Sequence, residues 1–200
     1  MLNVDTRHTL PDWFNFHRDL CTDWVRAHQQ PIGGPGHVVQ IDESVIARPK
    51  RARGQRVRPF PLRWVFGGID TTTHEAFLME VPRRDAATLL PIIQQQILPG
   101  TTVWSDQWQA YRQIPQQTGL AHDTVNHSIQ FVAPGTGVNT NTVENFWKCA
   151  KDKFKRMHGT SQAHVSSYAD EFLWHRKCGA REQCFENAVA LIRWRYLVPL

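Results

Sequence analysis

The segment from Asp85 to Ser105 constrains the fold more than any other. Asp85 is placed to cap a helix that runs through Ala86, Leu89, Leu90, Ile93 and Ile97, and Pro99 with Gly100 ends it. A strand, Thr101 to Ser105, follows at once. A strand reached by a helical crossover returns parallel to a neighbour in its sheet. The preceding strands are joined differently. His37 to Ala47 is rich in Val and Ile, and Arg63 to Thr73 meets Glu75 to Pro82 at a tight turn near Thr73 and His74. Three antiparallel strands in a meander, then a parallel return, predict a mixed α/β sheet.

The rest of the chain extends this order. Gln107 to Ile114 opens a short helix, His122 to Ser128 is a fifth strand, and Phe131 to Asn141 is a loop carrying Pro134, Gly135 and Gly137. Helices follow at about 139–156, 164–177 and 181–197. Ahead of the first strand, Trp13, Phe14, Phe16, Leu20, Trp24 and Val25 define an amphipathic flanking helix from about Pro11 to His28, which Ile32-Gly-Gly-Pro-Gly36 terminates. The pattern reads β-β-β-α-β-α-β-α with additional C-terminal helices. Two hundred residues with 41% hydrophobic content suit one ordinary domain with a flank.

Polar residues set in apolar patterns mark the candidate site. Asp42 stands in the middle of the first strand, where aspartate is disfavoured, so function or a buried partner has to explain it. Asp106 ends the fourth strand. In the helix from Asn139, Val143, Phe146, Trp147, Ala150, Phe154 and Met157 form the buried stripe, and Thr140 or Thr142 can cap the first turn with a hydroxyl. Glu144 then sits near the positive end of the helix dipole. Lys148, Lys151 and Lys155 follow on its side of the helix; a solvated Glu-to-Lys pair is the simpler explanation of these four residues alone.

Charge is unevenly distributed. There are 23 Lys and Arg against 18 Asp and Glu, and Arg48, Lys50, Arg51, Arg53, Arg56, Arg58 and Arg63 occur with no acid among them. Such local concentration suggests a polyanionic partner, nucleic acid ahead of membrane, or else a solvated loop. No apolar run approaches the roughly 18 residues that span a bilayer. Cys21, Cys149, Cys178 and Cys184 include no C-x-x-C pair, and no signal peptide precedes them, which fits reduced thiols in cytosol or nucleus. His175 and Cys178 have the spacing of half a zinc site, but no second pair does, so structural zinc is not expected.

The acids fall in strand one, at the end of strand four and on the helix after strand five. This order resembles the ribonuclease H-like fold of DDE transposases and retroviral integrases. The motifs I-G-G-P-G (32–36), Q-I-D-E-S (40–44), R-W-V-F-G-G-I-D (63–70), W-S-D-Q-W-Q-A-Y (104–111), V-N-H-S (125–128) and N-T-N-T-V-E-N-F-W (139–147) are similar to the transposase domain of Merlin-type DNA transposons and their ISXO-type bacterial relatives. The resemblance implies a catalytic domain over 31–178, between a helical flank at 1–30 and a packed helix at 179–200. It implies a catalytic trio of Asp42, Asp106 and Glu144, with Lys151 where some relatives carry a DNA-contacting lysine. Adjacent strands one and four would bring the two aspartates together. Members usually carry a further N-terminal recognition module, so a fragment, a truncated element or a host gene of transposon origin is expected, with a separate partner supplying DNA specificity.

Three converging carboxylates repel one another, and all-oxygen ligation favours Mg²⁺ or Mn²⁺. The expected arrangement holds two ions about 3.5–4 Å apart, bridged by Asp42, for strand cleavage and joining. Lys148, Lys151, Lys155 and the basic loop would bind DNA phosphates. His127 is a candidate accessory residue at the end of strand five, or a surface or supporting polar group. Glu43 should face away from Asp42 and form a salt bridge, and Trp104, Trp108 and Tyr111 are expected to pack rather than stack on bases. The leading function is a DNA transposase, a homo-oligomer when active, in the nucleus of a eukaryote or the cytoplasm of a bacterium. The alternatives are a non-catalytic DNA- or chromatin-binding protein and a nuclease acting on RNA or hybrids.

Overall fold

The computed structural model describes residues 7–47, 63–125, 137–157, 162–178 and 181–197. The chain divides into two compact units, Gln30–Val165 and a helical unit of Met1–Gln29 with Ser166–Leu200.

The larger unit is built on a five-stranded mixed sheet. Its strands are β2 (Val38–Ala47), β3 (Arg63–Asp70), β4 (Ala76–Val81), β6 (Thr102–Asp106) and β7 (Ala121–Val125), in the spatial order β4-β3-β2-β6-β7. β2, β3 and β4 are the antiparallel meander, while β6 and β7 run parallel to β2 and to each other. This is the order that the resemblance drawn from the sequence implies, with the first and fourth of these strands adjacent. A small parallel pair, β1 (Ile32–Gly33) with β5 (Ile97–Leu98), flanks the sheet. It was not legible in the sequence, because two residues are too short to carry an alternation.

Crossover helix α2 (Ala86–Gln96) begins where expected. Asp85 accepts hydrogen bonds from the Thr88 amide (2.9 Å) and hydroxyl (2.6 Å). Leu89, Leu90 and Ile93 of α2 pack with Val39, Ile41, Phe66 and Val103 into the core on one sheet face. A 3-10 turn (Gln109–Gln113) leads into α3 (Ile114–Thr118) and adds Tyr111 and Ile114 to that core.

The amphipathic helix α4 (Asn141–Arg156) packs on β2 and β3 and buries Val143, Phe146, Trp147, Ala150 and Phe154. Strand alternation fixes which face it covers. Val39 and Ile41 point into the α2 core, so Gln40 and Asp42 point the other way, and Gln40 bonds to α4. Gly67, opposite Asp42 in the ladder, is what allows the close approach: a Cβ there would stand 2.6 Å from Leu78 Cδ2, 3.1 Å from the Phe77 carbonyl and 3.2 Å from Trp147 Cζ2.

In the helical unit, α1 (Thr9–His28), α5 (Val165–Cys178) and α6 (Cys184–Tyr196) bury Leu20, Cys21, Val25, Ala169, Leu173, Trp174 and Leu191. Arg195 ties α6 to α1 through Asp23 at 2.7 Å. The Arg18 guanidinium lies 4.4 Å from the Tyr168 ring centre.

Candidate active site

Strand register brings the two aspartates together. Gln40 pairs with Trp104, and two further residues along these parallel strands bring Asp42 beside Asp106. The β2–β6 ladder ends at Gln40–Trp104, so the acids stand just past the last paired residues. Asp106 ends β6, and open α/β sheets bind ligands outside the carboxyl ends of their parallel strands. Each aspartate is held by one oxygen: Asp42 Oδ1 accepts from the Glu43 amide at 2.8 Å, and Asp106 Oδ1 from the Trp108 amide at 2.9 Å. Their Oδ2 atoms make no hydrogen bond or ion pair among the described residues.

Glu144 arrives on the first turn of α4, where it is exposed. The threonine cap expected of this helix is not formed. Thr140 Oγ1 instead donates to Glu144 Oε1 at 2.9 Å and so orients the carboxylate. The amide that the hydroxyl would have satisfied is taken by Gln40, a side chain 1% exposed in the middle of β2. Gln40 Oε1 accepts from the Val143 amide at 3.0 Å, and its Nε2 donates to Asn139 Oδ1 at 3.2 Å. Asn139 Oδ1 also accepts from the Asn141 amide. One glutamine two residues from Asp42 thus anchors the start of the helix that carries Glu144. Its position in Q-I-D places it on the Asp42 face by strand alternation. Its partner, about a hundred positions away, has no signature in the sequence.

Electrostatics register the convergence. Burial pushes the Asp42 carboxyl up to about 7, the charges of Asp106 and Glu144 push in the same direction, and the Glu43 amide and the Lys151 ammonium oppose them. Lys151 is half-buried on α4, while Lys148 and Lys155 are exposed on it. The basic residues Arg48, Lys50, Arg51, Arg53, Arg56 and Arg58, and His127, lie outside the described residues.

Glu43 faces the α2 side, as alternation requires, but the expected salt bridge is absent among the described residues. Burial raises its carboxyl to about 7, with Asp42 and Asp106 adding to the shift. Tyr111 Oη lies against this carboxyl outside the geometry of a formed hydrogen bond. The charge of Arg84 opposes the rise. The Arg84 guanidinium is occupied by aromatic faces, 4.6 Å from the Trp64 ring centre and 4.0 Å from that of Trp108, and the Trp108 indole donates to the Arg84 carbonyl at 2.9 Å. Arg84 thus stacks on two rings and makes no ion pair with Glu43. Tyr111 is fully buried and Trp108 packs on the core, as expected, and Trp104 is half-buried on the α4 face.

Among families of known proteins, the model of the ISXO2-like transposase domain matches residues 23–177. The chain belongs to the ISXO2-like transposase domain family. An uncharacterized transposase-like protein of Haemophilus influenzae is 29% identical to it over 100 residues, which are 50% of this chain and 79% of that protein. Among solved structures, the catalytic core domain of BIV integrase aligns at 15% identity and a TM-score of 0.47, over 80% of this chain and 98% of its own. The HTLV-2 integrase catalytic core domain, solved in complex with magnesium, aligns at 12% identity and a TM-score of 0.43, over 70% and 86% of the two chains. Within this transposase domain, the matched span takes in the whole sheet, α4 and almost all of α5.

Proposed function

We propose that this transposase domain cleaves and joins DNA strands, with Asp42, Asp106 and Glu144 as its catalytic carboxylates and divalent cations as cofactor. The observation that carries the reading is the strand register that sets Asp42 beside Asp106, with Glu144 on the first turn of α4 and its charge acting on the Asp42 carboxyl. A fold has no structural use for three like charges gathered at one sheet edge, and a cation relieves their repulsion. The donor set suits such a cation. It offers only oxygens, and the two aspartates each keep one oxygen in reserve, as Mg²⁺ or Mn²⁺ requires. A pair of these ions, when bound, would supply Lewis acidity to both the attacking and the leaving oxygen of an in-line phosphoryl transfer.

The protein's part is position and charge. The Glu43 and Trp108 amides fix the two aspartates, and Thr140 and Gln40 fix Glu144. Asp42 must lose its proton to act as a ligand, so cation affinity rises as pH passes about 7. Lys151, with Lys148 and Lys155 along the same helix, offers cations to the DNA backbone. The basic loop at 48–63 extends this role, and His127 is a candidate accessory group. Contacts of this kind bind phosphates without reading sequence, so a partner protein or a further segment is proposed to supply end recognition, and a homo-oligomer to hold two ends.

Cleavage and strand-transfer assays on DNA, RNA and hybrid substrates with Mg²⁺ or Mn²⁺ test the proposal. Activity on DNA that Asp42→Asn abolishes is expected. Retained activity in that variant would overturn the residue assignment, and binding to DNA with no cleavage under any metal would make the chain a binding protein.

A further inference from the structure

The helical unit holds a second cluster, unrelated to the carboxylate site. His17 of α1 and Glu171 and His175 of α5 bring one ligand atom each to within 4.8 Å of one another. Glu171 and His175 are an i, i+4 pair on one helix face, with His175 Nε2 3.7 Å from Glu171 Oε1. The two imidazoles lie 5.8 Å apart between ring centres, at 31°. Trp174 is packed edge-on against both, 5.2 Å from His17 at 83° and 5.0 Å from His175 at 70°, which restricts how either ring turns. Cys21, fully buried, places its sulfur 3.7 Å from His17 Nδ1 and 3.9 Å from its Nε2. The Glu171 side chain is 16% exposed and that of His175 38%, so the group is sheltered yet reachable from solvent.

We infer that His17, Glu171 and His175 form a binding site for a zinc-class transition-metal ion that joins α1 to α5. Two imidazoles with one carboxylate are a zinc donor set, whereas Mg²⁺ and Ca²⁺ take oxygen ligands. Tetrahedral ligation with bonds of about 2.0–2.1 Å needs donor atoms roughly 3.3 Å apart, so the observed group closes onto an ion by about an ångström of side-chain movement. The sequence pointed elsewhere. His175 and Cys178 have half-site spacing, but Cys178 is not in the cluster, and the partner of His175 lies on the opposite end of the chain. Because the ligands come from residues 17 and 171–175, the ion would close a long loop of the chain, so binding is expected to stabilise the helical unit.

The test uses the full chain stripped with chelator and titrated with Zn²⁺ against a competing chromophoric chelator. One equivalent should bind with a Kd below about 10 µM, and Glu171→Gln and His17→Asn should each weaken it at least about tenfold. The thermal midpoint should rise with Zn²⁺ in the wild type and not in these variants. The triple variant Asp42→Asn, Asp106→Asn, Glu144→Gln should keep the zinc affinity, which separates this site from the carboxylate site. Visible d–d absorption of the Co²⁺ form of the wild type, of tetrahedral intensity, gives a readout independent of any variant. Absence of saturable binding by the wild type, a less than tenfold loss in the variants, or an octahedral Co²⁺ spectrum would each overturn the inference.

Discussion

Replacing Asp42 by Asn should stabilise the metal-free chain, and by an amount that depends on pH in a calculable way. The Asp42 carboxyl is raised from 3.8 to about 7. A carboxyl whose folded pKa exceeds its unfolded value holds its proton more tightly when folded. The folded state therefore loses stability as pH rises from about 4 to about 7, and the full cost is present above that. About three pK units at 1.36 kcal/mol each set an upper limit of roughly 4 kcal/mol on that cost. Roughly two of those units lie above pH 5, so the advantage of Asp42→Asn over wild type should grow by up to about 2.7 kcal/mol between pH 5 and pH 8. For a chain of this size each kcal/mol moves the thermal midpoint by about 2–4 °C, so the variant should gain several degrees more at pH 8 than at pH 5. Thermal melts in chelator at the two pH values measure this. Mg²⁺ at pH 8 should raise the wild-type midpoint and leave that of the variant unmoved. Wild-type and variant midpoints that stay parallel across pH 5 to 8 would mean Asp42 is solvated and apart from the other acids, and the site would lose its main support.

Two further outcomes follow from the same geometry, and the last two from the distribution of charge in the sequence. Gln40→Leu leaves the Val143 amide without its acceptor, so it should cost about 1–3 kcal/mol of stability and lower metal-dependent turnover more than DNA affinity; denaturant melts and single-turnover cleavage report the two. Gly67→Ala drives a methyl into Leu78 and presses it against the Phe77 carbonyl and the Trp147 ring, at an expected cost of about 1–3 kcal/mol, and turnover should fall through displacement of α4. Arg51→Ala, Arg53→Ala and Arg56→Ala together should flatten the salt dependence of duplex affinity by up to about 0.9 in log-log slope per lost contact, and competition binding should find less than tenfold preference for terminal repeats over scrambled duplex.

The parts of the fold legible in the sequence are those that local rules govern. Asp85 capped α2 as its spacing implies, the 3.6-residue stripe of α4 was buried residue for residue from Val143 to Phe154, and the crossover forced β6 parallel to β2. Strand alternation separated Asp42 from Glu43 correctly. What escaped depended on partners far along the chain. The threonines before Glu144 satisfy the local rule for a helix cap, yet a tertiary contact from Gln40 replaced them. The salt bridge assigned to Glu43 is absent among the described residues, and the nearby Arg84 stacks on Trp64 and Trp108, an arrangement no spacing rule reports. His17 is separated from His175 by the whole sheet unit, so their approach follows from how α1 and α5 pack and from nothing local to either.

The first turn of an α-helix ordinarily frays, because its amides have no acceptors within the helix. In α4 the Val143 amide is instead bonded to a side chain rooted in the central strand of the sheet. That amide should exchange its hydrogen with solvent about as slowly as the strand itself, and the first turn of α4 should open only when β2 does. Glu144 would then have no independent local unfolding of its own, and the helix end that delivers it to Asp42 and Asp106 would share the lifetime of the sheet.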